Sequence, residues 1–171
     1  HSDMNNLLYI PISSLNFNSI FSSENISPHN FYIKRSFGYK RNKQNNWQPL
    51  VKAILLYSKP FHFKINNTDY EEYPIFIGVS KEFIQPLIRS KVVAENFEVS
   101  IVDSTIYFDT NNFVFIFPNA SIQQTIISKS LSSFETKTVS KYSACFKVLD
   151  EFKDELIDII IPDIKFEADS L

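Results

Sequence analysis

The chain has 171 residues, of which 44% are hydrophobic and 21% are charged, and its net charge at pH 7 is −2. Such values, together with abundant Ile, Phe and Tyr, are typical of a globular domain and exclude a largely disordered chain. The length favours one domain with a sizeable core, which we expect to cover residues 4–150. No apolar run approaches the roughly 20 residues of a membrane-spanning helix.

The two ends of the chain are expected to lie outside this domain. His1, Ser2 and Asp3 precede Met4, and we interpret them as a cloning scar. The acidic residues 151–171 are expected to form a helix or a connector to a missing downstream region of a larger bacterial protein. No signal-peptide pattern is visible and Cys145 is the only cysteine. These features indicate a reducing, cytoplasmic compartment.

Three apolar segments in the first half of the chain predict strands or buried elements. Residues 7–12 (LLYIPI) are apolar and partly β-branched, which is typical of a strand. Residues 50–58 (LVKAILLYS) form an apolar run whose periodicity does not separate a helix from a buried strand. Residues 61–65 (FHFKI) alternate large apolar and polar side chains, which predicts a half-buried strand.

The middle of the chain predicts a strand followed by a short helix. Residues 73–79 (YPIFIGV) are strand-like, and Ser80 is placed to cap the helix that follows. Pro86 lies too far into this helix to be tolerated, because proline lacks the N–H that the helix needs. We therefore expect the helix to break or kink there.

A turn between two strands is the clearest local pattern. Residues 109–112 (DTNN) separate the apolar residues 97–108 from residues 113–117 (FVFIF). Asp and Asn bond locally to the backbone, so this pattern predicts a β-hairpin. The unbroken apolar run 113–117 indicates a strand covered on both faces.

After Pro118 the apolar residues fall at helical spacing, which predicts two helices divided near Ser130. The second helix would cover most of residues 133–149, and Ser132 with Glu135 matches a capping box at its start. The predicted fold is therefore a single α+β domain, with an antiparallel-rich sheet and helices concentrated toward the C-terminus.

The residues available for catalysis are few. Only two glycines are present, so a phosphate-cradling glycine loop is not expected. His29 and His62 do not lie at metal-ligand spacing, and no metal or cofactor is predicted. Cys145 falls on the apolar stripe of a predicted helix, where core packing is favoured over catalysis. An enzyme is therefore less favoured than a binding module.

Two acid-x-Lys triplets leave a nuclease as the enzymatic alternative. They are the residues 151–153 (EFK) and 163–165 (DIK), and Asp103 or Asp109 could supply the upstream carboxylate for a divalent ion. A triplet this short arises often by chance in a chain rich in Lys and Glu. The surface of a helix is the favoured interpretation of these charges.

Charge is divided unevenly along the chain. Residues 25–68, here called the acid-free window, carry a formal +8, whereas the rest of the chain carries −10. An asymmetry of this size within one domain favours a surface for an anionic partner. The alternative is that the basic window pairs with the acidic remainder inside the fold.

The functional prediction rests on residues 31–47 (FYIKRSFGYKRNKQNNW), here called the basic-aromatic segment. Cations and aromatic rings alternate in it, and in a strand Phe37 and Tyr39 would face the same side. Exposed rings flanked by cations would stack on bases and contact phosphates. The predicted binding residues are Lys34, Arg35, Phe37, Tyr39, Lys40, Arg41, Lys43 and Trp47.

The stretch RSFGYKRN partly resembles the signature strand of the RNA-recognition motif, in which outward aromatic rings stack on bases. Arg35, Phe37, Gly38 and Tyr39 match that pattern, while Ser36 replaces its first glycine. Lys40 and Asn42 stand where Val and an aromatic residue are expected. The stretch LYIPIS, which begins at Leu8, partly resembles the companion strand.

Two functions follow from these patterns. The first is a non-catalytic recognition module that binds nucleic acid or another polyanion through the basic-aromatic segment. The second is a protein–protein interaction or scaffolding domain, in which the same cations dock an acidic partner surface. The two differ in whether short RNA or DNA binds at low salt.

Overall fold

The computed structural model describes residues 6–28, 48, 52–63, 72–131 and 141–157. Nine strands lie in this part of the chain: β1 Leu7–Ser13, β2 Asn25–Ile26, β3 Ile54–Tyr57, β4 Pro74–Ser80, β5 Ser90–Val93, β6 Glu98–Val102, β7 Ile106–Tyr107, β8 Phe113–Phe117 and β9 Phe146–Val148. The α-helices in it are α1 Phe17–Ser23, α2 Lys81–Ile84 and α3 Ala120–Leu131. No helix among these residues is long and apolar enough to cross a membrane.

Seven strands form one sheet in the order β5-β6-β3-β1-β4-β8-β9, while β2 and β7 pair separately. Neighbouring strands are antiparallel except for β8 and β9, which are parallel. β1 lies at the centre and pairs with β4 along its whole length, from Leu7 opposite Ser80 to Ser13 opposite Pro74. The predicted α+β class with an antiparallel-rich sheet is confirmed.

One face of the sheet is covered by the three α-helices, and we call it the helix face. Alternate side chains of β1, β4 and β8 point to this face, because successive residues of a strand point to opposite sides. They pack against Phe17 and Phe21 of α1, Ile84 of α2 and Ile126 of α3. The α1 rings also contact β8, with Phe17 and Phe115 at 5.0 Å between centroids.

The opposite face is covered by turns, and we call it the turn face. Tyr9, Tyr57 and Phe76 point to this side and pack with Phe61 and Phe152. Residues 149–157 lie across the face, beginning with a 3-10 turn at Leu149–Phe152. Ile157 donates its backbone N–H to Pro60 at 3.0 Å and so ends this covering segment beside Phe61.

Burial on both sides explains the unbroken apolar runs of the sequence. Every residue of β1 and of β8 is buried. The predicted strands at residues 7–12, 73–79 and 113–117 are confirmed, and so is the prediction that residues 113–117 are covered on both faces. The ambiguous run 50–58 contains strand β3. The predicted strand at 61–65 is not seen in its described residues 61–63, which form only an isolated bridge at Phe61, although Phe61 and Phe63 are buried and His62 is exposed as the alternation predicts.

The predicted hairpin at residues 109–112 is only half correct. The turn forms as expected, since Asp109 accepts hydrogen bonds of 2.8 Å from Asn111 N–H and from the Asn112 side chain. The flanking strands do not pair, because β7 pairs with β2 and β8 lies between β4 and β9. The prediction took strands adjacent in sequence to be neighbours in the sheet, and that was wrong.

The predicted placement of the helices is also wrong in part. The helices are spread along the chain, with α1 near its start and α2 in its middle, rather than concentrated toward the C-terminus. Within the predicted helix 133–149, Ser143–Cys145 is a 3-10 turn and Phe146–Val148 is strand β9. Pairing with β8 outweighs the local helical spacing there. The proposed capping box at Ser132 and Glu135 lies outside the described residues.

The short helix α2 ends as expected but begins differently. It spans four residues and continues as a 3-10 turn at Gln85–Leu87, which contains Pro86. Ser80 makes no side-chain capping bond and instead ends strand β4. The cap that the prediction missed belongs to α3, where Asn119 Oδ1 accepts the Ile122 N–H at 2.8 Å.

Candidate polyanion-binding segment and its anchors

The residues predicted to bind an anionic partner lie outside the described part of the chain. They are Lys34, Arg35, Phe37, Tyr39, Lys40, Arg41, Lys43 and Trp47. The structure does describe the residues that flank this segment on both sides. Those flanking residues are held in place up to Pro28 and again at Gln48.

The upstream flank is held by the small sheet of β2 and β7. Ile26 is fully buried in the helix-face core and lies opposite Ile106. Ser27 and Thr105 share a hydrogen bond of 2.6 Å between their hydroxyl oxygens. Pro28, the next residue, is buried as well. The chain is therefore well packed up to Pro28, the last described residue before the segment.

The downstream flank is held by the side chain of Gln48, which is 1% exposed. Its amide Nε2 donates to the carbonyl of Leu55 at 2.8 Å, and its Oε1 accepts the Leu55 N–H at 3.0 Å. The amide thus makes the same pair of bonds that a neighbouring strand would make. Nothing in the local sequence signals this role, because the two partners are seven residues apart in a region without regular periodicity.

Pro11 explains why a side chain is needed at this place. β1 and β3 are paired only where Tyr9 stands opposite Tyr57. Two residues further along this register, Pro11 would face Leu55, and proline has no N–H to donate. Gln48 supplies the missing donor, and it supplies an acceptor as well, so that the buried backbone of Leu55 keeps both partners.

Ion pairs between described residues lie outside the acid-free window. Arg89 contacts Asp103 at 2.8 Å, and Lys141 contacts Glu24 at 3.1 Å. Both pairs are substantially exposed, so each contributes little to stability. Asp103 and Glu24 are thus paired with Arg89 and Lys141, which lie outside the acid-free window.

The strand that partly resembles the companion strand of the RNA-recognition motif does not offer a stacking surface. It is β1, at the centre of the sheet, and its side chains are buried on both faces. Tyr9, the aromatic ring of that stretch, is fully buried and donates a hydrogen bond to Glu155. The partial resemblance therefore does not extend to an exposed aromatic ring on β1.

A cluster at the end of α1 was not predicted from the sequence. Glu24 adopts a left-handed conformation with φ of 56°, and its carboxylate accepts hydrogen bonds from the Tyr142 hydroxyl and from Lys141 Nζ at 3.1 Å. These bonds lower the pKa of Glu24, the Tyr142 bond being the larger cause. Burial is the main reason that the pKa of Tyr142 is raised, to about 12. The cluster ties residues 141–142 to α1.

The side chains considered for catalysis are engaged in structural contacts. Cys145 is buried at the end of a 3-10 turn, where its thiol contacts the Thr110 carbonyl at 3.6 Å and burial raises its pKa. Its packing role agrees with the prediction, although its place on a helix does not. Glu151 accepts the Val148 N–H at 2.9 Å. Within the described ranges, no three His, Cys, Asp or Glu residues are placed to hold a metal ion.

The described residues also line two clefts of different character. One, on the turn face, has an empty volume of about 300 Å³ that includes open solvent, and its lining is largely aromatic and aliphatic, with His62 as its titratable group. The other lies between α1 and α3, with Ser14, Asn18, Tyr73 and Lys129 in its wall. In the second cleft, the Ser14 hydroxyl accepts the backbone N–H of Tyr73 at 2.8 Å.

No family model, no curated protein and no solved structure matches this chain.

Proposed function

We propose that this protein is a non-catalytic recognition module that binds single-stranded nucleic acid, or another polyanion, through the basic-aromatic segment. The observation that carries the proposal is the acid-free window, in which five cations lie between residues 34 and 43. Like charges this close in sequence repel one another, and an anionic partner relieves that repulsion. The five cations are Lys34, Arg35, Lys40, Arg41 and Lys43.

The aromatic residues give the segment a second means of binding. Phe37 and Tyr39 are interleaved with the cations, and Trp47 ends the segment. A base stacked on such a ring contributes roughly 1–3 kcal/mol, and the cations contact the phosphates on either side. The combination suits a single strand, whose bases are free to stack, better than a duplex.

The fold supports assigning recognition to this segment rather than to the sheet. Binding on a sheet surface requires an exposed face, and strands β1 and β8 are buried on both faces. The segment instead connects two buried positions, Pro28 and Gln48. Residues flanked on both sides by a packed core suit recognition, because a rigid scaffold frequently positions the residues that bind.

An acidic protein surface is the alternative partner. The same charge asymmetry favours it, because complementary potentials also steer protein–protein association. Such a partner is addressed by the same cations but offers no bases for the rings to stack on. The two partners therefore differ in the effect of replacing Phe37 and Tyr39.

The experiment is fluorescence anisotropy with labelled single-stranded RNA and DNA at two salt concentrations. If about four cations contact phosphates, log affinity should fall with log salt at a slope near −3, since each contact releases roughly 0.7 counterions. A triple variant in which Arg35, Lys40 and Arg41 are each replaced by Gln should bind more weakly, and its log affinity should fall less steeply with log salt. The matched control replaces three exposed lysines outside the window, Lys81, Lys91 and Lys153, and should keep most of the affinity and slope.

Three outcomes decide between the partners. Tight, salt-dependent binding that is lost in the triple variant and kept in the control supports nucleic-acid recognition. Absence of binding at low salt, in protein shown by circular dichroism to be folded, would end that proposal. If the wild-type protein then binds an acidic protein that the triple variant does not bind, the partner is the acidic protein surface.

A further inference from the structure

We propose that strand β5 is a dimerisation edge, at which a second copy of this chain adds its own β5 in antiparallel orientation and joins the two sheets. β5 is the terminal strand of the seven-stranded sheet and pairs with β6 on one side. We call its other side the outer edge, and no strand in the described part of the chain pairs with it. The inference does not depend on what the basic-aromatic segment binds.

The backbone groups at the outer edge belong to Lys91 and Val93. Ala94 donates its N–H to the Phe97 carbonyl at 2.8 Å, so residues 94 and 97 form a hydrogen-bonded pair across the β5–β6 turn. In antiparallel strands such pairs alternate with pairs that share no hydrogen bond. Val92 is therefore bonded to β6, whereas the N–H and C=O groups of Lys91 and Val93 point away from it.

The opposite side of β6 gives the same orientation independently. The carbonyl of Glu98, which stands opposite Val93, accepts the Ser58 N–H at 2.9 Å and so points toward β3 and away from Val93. Lys91 and Val93 are both exposed, Val93 to 73%. Exposed N–H and C=O groups in a row along an edge strand are a template for pairing with another strand.

A twofold axis through Val92 matches these groups to one another. Lys91 of one copy then stands opposite Val93 of the second copy, and each of the two donates its N–H to the carbonyl of the other. The axis repeats this pair of bonds, so every outward group of Lys91 and Val93 is bonded in both copies. Val92, half-buried on the turn face, lies against Val92 of the second copy. One patch that pairs with itself is the arrangement expected of a twofold dimer.

The side chains beside the outer edge are also complementary to themselves. Lys91, Val93 and Glu98 lie on the same side of the sheet, because Val92 between them packs on the turn face and Glu98 stands opposite Val93. In the dimer, the Lys91 stem of one copy covers the exposed Val93 of the other, and its ammonium reaches the Glu98 next to it. Lysine on an edge strand discourages pairing, and here the Glu98 carboxylate compensates its charge.

This charge pattern favours a second copy over a strand of a single charge sign. An acidic strand would meet Glu98 and a basic strand would meet Lys91, both of which are exposed. The antiparallel copy presents each of these charges to its opposite. The paired strands are short, with β5 spanning Ser90–Val93, so the buried area is small and we expect a reversible dimer rather than a permanent one.

The first test measures dimerisation by sedimentation velocity over a series of protein concentrations, with folding checked by circular dichroism. Val93→Pro removes an outward N–H and leaves the hydrogen bonds between β5 and β6 in place. It should weaken dimerisation at least about tenfold, because each copy loses a donor at the interface. Val93→Thr keeps the N–H and the β-branched shape, so this matched control should dimerise nearly as the wild-type protein does.

The second test exchanges the charges at the surface, where folding is little affected. Lys91→Glu brings two carboxylates together in the dimer and Glu98→Lys brings two ammonium groups together, so each variant alone should dimerise weakly. A mixture of the two variants should associate, because every contact between them then joins opposite charges. The variant carrying both exchanges should dimerise as well. Such a rescue is specific to the antiparallel pairing of β5.

Three results would overturn the inference. In the first, dimerisation of the folded Val93→Pro protein equals that of the wild type. In the second, the mixture of Lys91→Glu and Glu98→Lys associates no better than either variant alone. In the third, the wild-type protein stays monomeric at the highest concentration reached, which leaves the outer edge to a strand of a different protein.

Discussion

The hydroxyl of Tyr9, in the central strand, donates a hydrogen bond of 2.8 Å to Oε2 of Glu155 near the end of the described chain. The two residues are 146 positions apart in sequence. Tyr9 is fully buried, and its burial together with the Glu155 carboxylate raises its pKa far above the usual range, so the hydroxyl remains a donor. The bond fixes residues 149–157 on the turn face.

Removing this hydroxyl should loosen the turn face. We expect Tyr9→Phe to lower the free energy of unfolding by about 1–3 kcal/mol, because a part-buried carboxylate loses a hydrogen-bond donor. Urea unfolding measures the change. Tyr107→Phe is the matched control, since Tyr107 is 65% exposed and should change stability little. Equal losses in the two variants would contradict a structural role for the bond.

The cluster of Glu24, Lys141 and Tyr142 should make stability depend on acid. The pKa of Glu24 is lowered in the folded protein. The carboxylate therefore stabilises the fold fully above its ordinary pKa of about 4.5, and this stabilisation is lost as the pH falls through the lower pKa of the folded state. The effect should be modest, because the Glu24 side chain is 39% exposed.

Comparison with Glu24→Gln isolates this contribution. The wild-type protein should be the more stable of the two at pH 6–7, and the difference should shrink as the pH is lowered below about 4.5. Unfolding by urea at several pH values measures both proteins. A difference that stays constant over this range would show that the Glu24 carboxylate is not the titrating group.

Gly78 should tolerate no larger residue without a loss of stability. A Cβ atom at this position in β4 would lie 2.9 Å from Val114 Cγ2 and 3.0 Å from Leu7 Cδ1. Overpacking of this kind costs roughly 1–3 kcal/mol, so Gly78→Ala should lower the unfolding midpoint in urea. Ser80→Ala, at the end of the same strand, is the control. A stabilised Gly78→Ala protein would show that the neighbouring side chains can move aside.

Replacing Cys145 should leave binding unchanged. We expect Cys145→Ser to lower the free energy of unfolding by about 1–2 kcal/mol, because a hydroxyl is less favourable than a thiol in a buried site. The affinity for RNA should equal that of the wild-type protein. Cys145→Ala separates the effect of the hydroxyl from the loss of the sulfur contacts. Abolished binding in either folded variant would give Cys145 a chemical role.

The aromatic rings should contribute to affinity independently of salt. We expect Phe37→Ala or Tyr39→Ala to weaken binding to single-stranded RNA by roughly 1–3 kcal/mol if that ring stacks on a base. The slope of log affinity against log salt should change little, because no phosphate contact is removed. Anisotropy titrations at two salt concentrations provide both values. Unchanged affinity in both variants would favour the acidic protein partner.

Local patterns were sufficient for several elements of this fold. The runs 7–12, 73–79 and 113–117 correspond to strands Leu7–Ser13, Pro74–Ser80 and Phe113–Phe117, as apolar runs rich in β-branched or aromatic residues predict. The turn at residues 109–112 and the break near Pro86 are also correct, since both depend on the conformational limits of the residues themselves. For the basic-aromatic segment, the sequence supplied its charge and its aromatic content, and binding to an anionic partner stays a prediction.

Only the tertiary structure decided which elements meet. β8 pairs with β4 and β9 rather than with the strand before it, and Phe146–Val148 became a strand because the edge of β8 was open to it. The Gln48 amide bonds to Leu55 because Pro11, which would stand opposite Leu55 in β1, has no N–H to donate. Pro11 lies 37 positions before Gln48 in the sequence. The physical reason is common to these cases. Backbone preference depends on the residue and its near neighbours, whereas hydrogen-bond partners are chosen among groups that only folding brings together.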